Sequence, residues 1–326
     1  MGGVHRPIPH FDDFCYSCYM AQTVPQFTSL AHALASLFGN AVSVAHTEKL
    51  SGGDINKAYG LTLSNGKRIF MKANAKENAA FFAAEAAGLF AIASTRAIGV
   101  PRVLCCGTDP GEQVGYSFLL LEYIASRGKS ASYWETLGHE LAQLHKAESA
   151  SFSCGKLFGF MENNFIGATA QINTPHNSWI DFFRECRLAP QFQKASQYFD
   201  NAMQQKIAKL LDKLDEFIVE PASPSLVHGD LWSGNVMCGE DGKAQLIDPA
   251  CYCGNREIDI AMTELFGGFP RAFYDAYNES YKLESGYELR RDIYNLYQLL
   301  NHLNLFGRTY FRPVCDIINE YVGGAA

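Results

Sequence analysis

The sequence has no excess of basic residues and no long apolar run. Its 326 residues include 27 Lys and Arg against 34 Asp and Glu, which gives a formal net charge of −7 at pH 7. Nucleic acids and anionic membranes attract basic proteins, so this balance argues against both as main partners. The most apolar stretch, residues 78–94, is rich in alanine and contains Glu85, which favours a packed helix over a membrane span. We therefore expect a globular protein that binds neither nucleic acid nor membrane.

Residues 1–19 do not resemble a signal or transit peptide. They lack an apolar core region and carry His5, His10, Asp12 and Asp13. We expect this segment to be a disordered or non-native extension, with the function residing elsewhere. The chain contains ten cysteines. Without a secretory signal they predict free thiols in a reducing compartment, so the expected localisation is cytoplasmic.

The most informative residues form two short motifs in the second half of the chain. Residues 226–235 read Leu-Val-His-Gly-Asp-Leu-Trp-Ser-Gly-Asn, and Leu-Ile-Asp follows at 246–248. Kinases use the pattern His-x-Asp-Leu-x-x-x-Asn followed by a second Asp. The first Asp accepts a proton from the attacking hydroxyl, and the Asn and the second Asp bind magnesium. The pattern predicts Asp230 as the catalytic residue and Asn235 and Asp248 as metal ligands.

The alternative is that these motifs are an ordinary turn and an ordinary strand end. Gly, Asp, Ser and Asn favour turns whether or not they are functional. The two motifs nevertheless occur in the order that a kinase requires, and each follows a short apolar segment of strand character. A loop between two strands can present all three oxygen-bearing side chains on one wall, which favours phosphoryl transfer.

The periodicity predicts a β-rich first third and a helical remainder. Strands are expected at 42–50, 58–63, 68–72, 102–107 and 116–123, with helices at 27–38 and 79–93. Further helices are expected at 133–147, 179–189, 202–219, 258–264, 269–280 and 289–306. The predicted fold class is α+β, a bilobal protein-kinase-like fold. Its nucleotide-binding N-lobe would span residues 20–123, and its helical C-lobe, with the catalytic loop and the acceptor site, residues 124–326.

A lysine and a glutamate in the N-lobe match the nucleotide-binding pair of a kinase. Lys72 ends a predicted strand, and Glu85 follows thirteen residues later in the predicted helix. Such an ion pair orients the lysine toward the α- and β-phosphates. The alternative is that both residues are solvated. Against it, a carboxylate in so apolar a helix would be costly without a cation.

Two backbone segments of the N-lobe are further candidates for nucleotide binding. Gly52 and Gly53 form a turn between the first two strands, where a phosphate-covering loop belongs. The turn is not Gly-x-Gly-x-x-Gly, and hairpins often contain glycines, so it is equally compatible with an ordinary turn. The segment Leu121, Glu122 and Tyr123 is the predicted hinge, whose backbone would read the adenine edge.

In its finer detail the sequence resembles the fructosamine kinase (ketosamine-3-kinase) family, whose members are related to aminoglycoside phosphotransferases. The resemblance extends over residues 42–310. It includes Ser-Gly-Gly-Asp-Ile-Asn-Lys-Ala-Tyr (51–59), Asn-Asn-Phe-Ile-Gly (163–167), Arg-Leu-Ala-Pro-Gln (187–191) and Leu-Leu-Asn-His-Leu-Asn-Leu-Phe-Gly (299–307). Trp232, directly after the Asp-Leu of the catalytic motif, separates this family from generic aminoglycoside kinases.

The resemblance implies an ATP-dependent kinase, with Mg²⁺ as cofactor, that phosphorylates the sugar 3-hydroxyl of ketosamines. The acceptors would be small-molecule or protein-bound ribulosamine, erythrulosamine or fructosamine adducts. The phosphate is a good leaving group, so the adduct breaks down and the amine is deglycated. Trp232 would line the substrate pocket, or alternatively pack the loop as a buried residue. Asp259 with Arg256 would brace the catalytic loop, or form a structural salt bridge. The enzyme would be a monomer or a homodimer.

Other functions are compatible with the kinase motifs. An aminoglycoside, choline or homoserine could be the acceptor, since an acidic protein suits any cationic alcohol. A pseudokinase acting as a binding module belongs to a different class. The presence of Lys72, Asp230, Asn235 and Asp248 argues against it, because pseudokinases usually lack one of these residues.

Overall fold

The computed structural model of the protein describes residues 24–50 and 55–323. Its N-terminal lobe contains six strands: β1 (Gln26–Phe27), β2 (Val44–Leu50), β3 (Lys57–Leu63), β4 (Arg68–Ala75), β5 (Val103–Asp109) and β6 (Tyr116–Glu122). They form one sheet in the order β1-β5-β6-β4-β3-β2, in which β1 is parallel to β5 and the other neighbours are antiparallel. The predicted extension at 1–19 and the glycine turn at Gly52 and Gly53 lie outside the described residues.

The turn between β3 and β4 is a tight hairpin turn at Asn65-Gly66, a dipeptide that favours such turns. Gly66 has a φ of +82°, and its N–H donates to the Leu63 carbonyl at 2.8 Å. This turn sets the register that pairs Ala58 with Lys72. Lys72 lies in the interior of β4 and not at its end, because β4 continues to Ala75. The strand that the sequence predicts is therefore correct in position but too short.

Helix α1 (Leu30–Phe38) begins three residues later than the sequence predicts. Phe27 pairs instead with Gly107 in the sheet, where a Cβ on Gly107 would lie 2.1 Å from the Phe27 carbonyl oxygen. The Ser29 side chain then accepts the N–H of His32 at 3.1 Å, as a helix N-cap does. The predicted helix is therefore correct in its later part, but Phe27, at its predicted start, belongs to strand β1.

Helix α2 (Ala79–Thr95) packs against β5 and β6 and carries Glu85. It buries Phe82, Leu89 and Ile92. In the described part of the chain, Lys76–Thr95 is the one helical stretch long and apolar enough to cross a membrane by length and composition, a test that core helices of soluble proteins also pass. Its contacts with the sheet make it a core helix of this lobe.

The C-terminal lobe is mainly helical. Its helices are α3 (Tyr133–Lys146), α4 (Trp179–Phe183), α5 (Ala189–Lys194), α6 (Asn201–Asp212), α7 (Leu214–Phe217), α8 (Glu257–Leu265), α9 (Arg271–Ser280), α10 (Tyr287–Phe306) and α11 (Phe311–Val322). Three short antiparallel pairs complete it: β7 (Asn164–Ile166) with β8 (Thr169–Gln171), β9 (Ser225–Val227) with β12 (Tyr252–Gly254), and β10 (Val236–Cys238) with β11 (Ala244–Leu246). A sheet lobe followed by a helical lobe confirms the predicted α+β class.

Two predicted helices are interrupted. The segment predicted at 179–189 is divided by a wider π-helical turn at Arg184–Leu188 before α5 continues it. The segment predicted at 202–219 breaks at Lys213, between α6 and α7, and the chain is extended by Ile218. In both segments the apolar residues recur with the helical period, but this period does not reveal a local change in backbone hydrogen bonding. The lobe boundary predicted at residue 123 is not tested by the fold and stays a prediction. Residues 123–132, which follow the last strand of the N-terminal lobe, form no helix or strand.

Candidate active site

The loop after β9 brings Asp230 and Asn235 into direct contact. The Asn235 Nδ2 donates to the Asp230 carbonyl at 2.8 Å and to the Asp230 Oδ2 at 3.0 Å. The Asn235 carbonyl in turn accepts the N–H of Ile247 at 3.1 Å. Because Ile247 directly precedes Asp248, the two motifs found in the sequence are joined by backbone as well as by side chains.

Asp259, in the first turn of α8, binds the backbone of the catalytic loop through its carboxylate. One carboxylate oxygen accepts the His228 N–H at 2.7 Å and the other accepts the Gly229 N–H at 2.8 Å. His145 Nε2 contacts the same carboxylate at 3.1 Å. Asp259 is fully buried. A buried carboxylate with three donors is satisfied, and it fixes the backbone beside Asp230.

Arg256 does not share that task. Its guanidinium donates to the Tyr277 hydroxyl at 3.1 Å and to the Tyr281 carbonyl at 2.9 Å. The suggested salt bridge between Arg256 and Asp259 is not among the ion pairs of residues 24–50 and 55–323. The sequence correctly suggested that Asp259 braces the loop, but it assigned the wrong partner.

Gly229 and His228 fix the shape of the loop. Gly229 has a φ of +81°, and a Cβ there would lie 2.3 Å from the Ala250 carbonyl oxygen. Gln298 Nε2 donates to the Gly229 carbonyl at 2.9 Å. His228 Nε2 lies 2.9 Å from the Ile247 carbonyl, and burial lowers the pKa of the His228 imidazole. The neutral ring therefore donates through Nε2, and its Nδ1 accepts the Asp230 N–H at 3.3 Å.

Lys72 joins the two lobes. Its Nζ lies 2.8 Å from the Glu85 Oε1 and also contacts the Asp248 carboxylate. Burial works against the ammonium charge, but Glu85 and Asp248 outweigh it and raise the pKa of Lys72. Burial raises the pKa of Glu85 as well, and the charge of Lys72 opposes that rise. The pair that the spacing predicts is present, and its lysine stays protonated.

Two aspartates of the cleft have unusual environments. Asp248 has a φ of +56°, in the left-handed region that non-glycine residues rarely adopt. Such strain tends to be concentrated at functional sites. Burial raises the pKa of Asp230 to about 7; the hydrogen bond from Asn235 lowers it, and the charges of Asp248 and Asp259 add to the rise. A carboxylate with a raised pKa is a stronger proton acceptor than an ordinary surface aspartate.

The predicted hinge lies at the end of β6. Leu121 is buried, and the Glu122 N–H is occupied by the Arg102 carbonyl at 2.9 Å. Tyr123 lies under the guanidinium of Arg68, whose Cζ is 4.0 Å from the ring centroid.

Trp232 lies at the protein surface beside the catalytic loop. Its side chain is 38% exposed, its ring centroid is 6.4 Å from that of Phe266, and a Cβ on Gly234 would lie 2.4 Å from its ring. The alternative that Trp232 is buried under the loop is therefore wrong. An exposed indole next to Asp230 leaves its other predicted role, lining the pocket, as a prediction.

The donor set fits a hard cation. The side-chain Nδ2 of Asn235 is bonded to Asp230, so its side-chain Oδ1 is the atom that Asn235 can offer to a cation, and Asp248 can offer a carboxylate. Within the described ranges, no three His, Cys, Asp or Glu side chains form a metal cluster. Magnesium commonly takes one or two protein oxygens and completes its shell with phosphates and water, so these two residues suit it.

Sequence reasoning missed the residues that hold the loop from other elements. Gln298 on α10 bonds to the Gly229 carbonyl and His145 on α3 to Asp259, while Asn164 and Gln171 of the β7–β8 hairpin bond to the carbonyls of Cys251 and Ala250. The Asn-Asn-Phe-Ile-Gly segment was noticed, but not as a hairpin. The glycine at 167, which has a φ of +60° in the turn, is the residue in the sequence that could have revealed it.

A lysine on a six-stranded sheet pairs with a glutamate on the helix packed against that sheet, and a helical lobe supplies an Asp-Asn loop and a second Asp. This arrangement defines the class of protein-kinase-like phosphotransferases. The solved structure of a protein assigned as a fructosamine-3-kinase, from Haemophilus somnus 129PT, superimposes with a TM-score of 0.79 at 33% identity, covering 90% of this chain and 96% of that one. Spectinomycin phosphotransferase, at 14% identity and a TM-score of 0.51, shares the fold.

The family model for fructosamine kinase matches residues 26–323. A "Probable ketoamine kinase" of Synechocystis is 38% identical over 293 residues, covering 90% of this chain and 95% of that protein. The chloroplastic protein-ribulosamine 3-kinase of Arabidopsis thaliana is 39% identical, covering 87% of this chain and 85% of that protein. The chain belongs to the fructosamine kinase family and is an ATP-dependent phosphotransferase. The predicted family and the kinase-like fold are confirmed.

Proposed function

We propose that this protein transfers the γ-phosphate of ATP to the sugar 3-hydroxyl of ketosamines. Membership of the fructosamine kinase family supports this acceptor class, and so do the relatives named ketoamine kinase and protein-ribulosamine 3-kinase. A phosphate at that position is a good leaving group, so the adduct would break down and release its amine. The outcome is deglycation of small amines or of proteins.

The nucleotide would bind between the lobes. Lys72, held by Glu85, would contact the α- and β-phosphates, as the corresponding pair does in kinases. The turn at Gly52 and Gly53 would cover the phosphates. The backbone of residues 121–123 would contact the base.

Asn235 and Asp248 would hold Mg²⁺, which would neutralise negative charge that develops on the phosphates during transfer. The side-chain Nδ2 of Asn235 is bonded to Asp230, which would leave its side-chain Oδ1 to bind the cation. Asp248 supplies the second oxygen from its strained backbone position.

Asp230 would orient the sugar hydroxyl and accept its proton. Its carboxylate is held by Asn235, and its environment raises its pKa to about 7, which suits a group that takes a proton near neutral pH. Trp232 would form one wall of the acceptor site, since its exposed ring adjoins the same loop.

The observation that carries the proposal is the contact of Lys72 with both Glu85 and Asp248. It brings a strand, a helix and the C-lobe loop to one point, as a kinase requires for phosphate and cation binding. In a pseudokinase at least one of these partners would usually be lost.

The decisive experiment measures ADP release with a panel of acceptors: a ribulosamine, an erythrulosamine, a fructosamine, an aminoglycoside and choline. We expect turnover with ketosamines and its loss in Asp230→Ala. Turnover with the aminoglycoside or choline alone would assign the protein to another acceptor class. Ketosamine-dependent ADP release that Asp230→Ala retains in full would refute the assigned base.

We further propose a cytoplasmic enzyme that acts as a monomer or a homodimer. Free thiols at buried positions such as Cys251 and Cys253 suit a reducing compartment. The plant relatives are named as chloroplastic, so the compartment differs within the family.

A further inference from the structure

The β7–β8 hairpin belongs to the C-terminal lobe but contacts the N-terminal lobe. The ring of Phe165 on β7 stacks on the ring of Phe81 on α2, with centroids 3.9 Å apart and an angle of 24° between the planes. Phe81 precedes Glu85 by four residues, so both side chains lie on one face of α2. The hairpin therefore supports the helix face that carries the glutamate of the Lys72 pair.

The base of the hairpin is fixed to the segment that follows Asp248. Asn164 Nδ2 donates to the Cys251 carbonyl at 2.8 Å, and Gln171 Nε2 donates to the Ala250 carbonyl at 3.0 Å. Tyr297 on α10 donates its hydroxyl to Gln171 Oε1 at 2.7 Å. All of these side chains are buried, so the hairpin cannot shift without breaking satisfied hydrogen bonds.

A buried arginine strengthens this base. Arg187 is fully buried; its Nη2 donates to Asn173 Oδ1 at 2.8 Å and its Cζ lies 3.9 Å from the centroid of the Tyr252 ring. Asn173 Nδ2 donates in turn to Asn164 Oδ1 at 2.8 Å. The chain of contacts runs from the arginine to the strand that bears Phe165.

The tip of the hairpin lies beside the end of the predicted phosphate turn. A Cβ on Gly167 would lie 3.3 Å from Leu305 Cδ1 and 3.5 Å from Ile55 Cδ1. Ile55 directly follows residues 51–54, and Leu305 is on α10. The hairpin thus contacts the glutamate helix and the segment after Asp248, and its tip lies near Ile55, which follows the glycine segment in the sequence.

We propose that Phe165 is a positioning residue that sets the orientation of α2, and with it the Glu85–Lys72 pair, from the C-terminal lobe. The proposal rests on the nucleotide role assigned above to Lys72. Without the Phe165 ring, the Phe81 side of α2 would lose its support and the helix could rotate. Glu85 would then hold Lys72 less well, and ATP would bind more weakly in the absence of any acceptor.

The test is ATP affinity measured by calorimetry with Mg²⁺ and without a ketosamine. We compare the wild type with Phe165→Ala, Phe81→Ala and the double variant. Phe165→Tyr keeps the stacked ring and serves as the conservative rescue. Phe217→Ala, which removes a ring 5.3 Å from Tyr321 within the C-terminal lobe, is the matched control. Thermal unfolding of each variant separates a local effect from global loss of structure.

We expect each single alanine variant to weaken ATP binding by about two- to tenfold, the range for one aromatic pair. The double variant should be no weaker than the singles, because both act through one contact. Phe165→Tyr should restore the affinity, and Phe217→Ala should leave it unchanged. A lower unfolding temperature of Phe165→Ala with wild-type ATP affinity overturns the proposal, as do single effects that multiply in the double variant. If the wild type itself binds no ATP, the proposed nucleotide site fails first.

Discussion

Replacing Asp259 with Asn tests whether one buried carboxylate holds the catalytic loop in place. The side chain keeps its size, but one oxygen becomes an NH₂ group. In the protein both oxygens accept: one from the Gly229 N–H at 2.8 Å, the other from the His228 N–H at 2.7 Å and from His145 Nε2. Whichever way the amide turns, a donor faces a donor.

The magnitude follows from these contacts. With its oxygen toward His228, the amide loses the bond to Gly229 and leaves that N–H buried without a partner. A hydrogen bond to a charged group contributes about 1.5–3 kcal/mol, and an unsatisfied buried donor costs about 1–3 kcal/mol. Removing a buried charge offsets part of this, so we expect a loss of about 3 kcal/mol in the free energy of unfolding. Gly229 directly precedes Asp230, so a shift of the Gly229 backbone moves the Asp230 carboxylate. A displacement of a catalytic group by about 1 Å lowers kcat about a hundredfold, and we expect a loss of that size.

Urea denaturation and steady-state kinetics with a ketosamine measure both effects. Asp275→Asn is the control, because Asp275 is exposed and pairs only loosely with Arg271 at 3.4 Å. The control should change stability by less than about 0.5 kcal/mol. If Asp259→Asn unfolded at the wild-type urea midpoint with the wild-type kcat, the carboxylate would not be holding the loop and the reasoning would be wrong.

Three other changes have expected outcomes. Glu85→Gln should lower kcat/KM for ATP by roughly tenfold to a hundredfold, because Lys72 loses one of its two carboxylate partners; an unchanged kcat/KM for ATP would contradict this. Burial lowers the pKa of His145, so only the unfolded chain takes up a proton as the pH falls through about 6.5, and stability is lost below that pH. His145→Gln should flatten that dependence by up to about 1.4 kcal/mol per pH unit in urea titrations, and an unaltered slope would argue against it. Trp232→Ala should raise the KM for the ketosamine but not for ATP, with less than about 1 kcal/mol lost in stability. A larger loss of stability with an unchanged KM for the ketosamine would indicate a packing role alone.

Much of the cleft could be predicted because its residues lie in short motifs. Asp230 and Asn235 are five residues apart, and Asn65-Gly66 sets the hairpin register through local turn geometry. The Lys72–Glu85 contact is longer in range, but an apolar helix with a single carboxylate indicates that a cation lies opposite. The chemistry of a local pattern is thus readable from sequence.

The supports of the loop could not be predicted, because they depend on tertiary contacts. Gln298 meets the Gly229 carbonyl across 69 residues, and Asn164 meets the Cys251 carbonyl across 87. An amide side chain has no periodicity that indicates its partner. The start of α1 was misplaced for a similar reason, since β1 exists only because Phe27 can approach a glycine on a distant strand.

The contact between Lys72 and Asp248 means that the chain provides its own counter-ion in the cleft. A cation that binds Asp248 at the oxygen that Lys72 contacts replaces an ammonium group, so the carboxylate keeps a positive neighbour throughout. The displaced ammonium becomes available to the phosphates at the same moment. Cation and nucleotide affinities are therefore linked by an exchange, and each should strengthen the other.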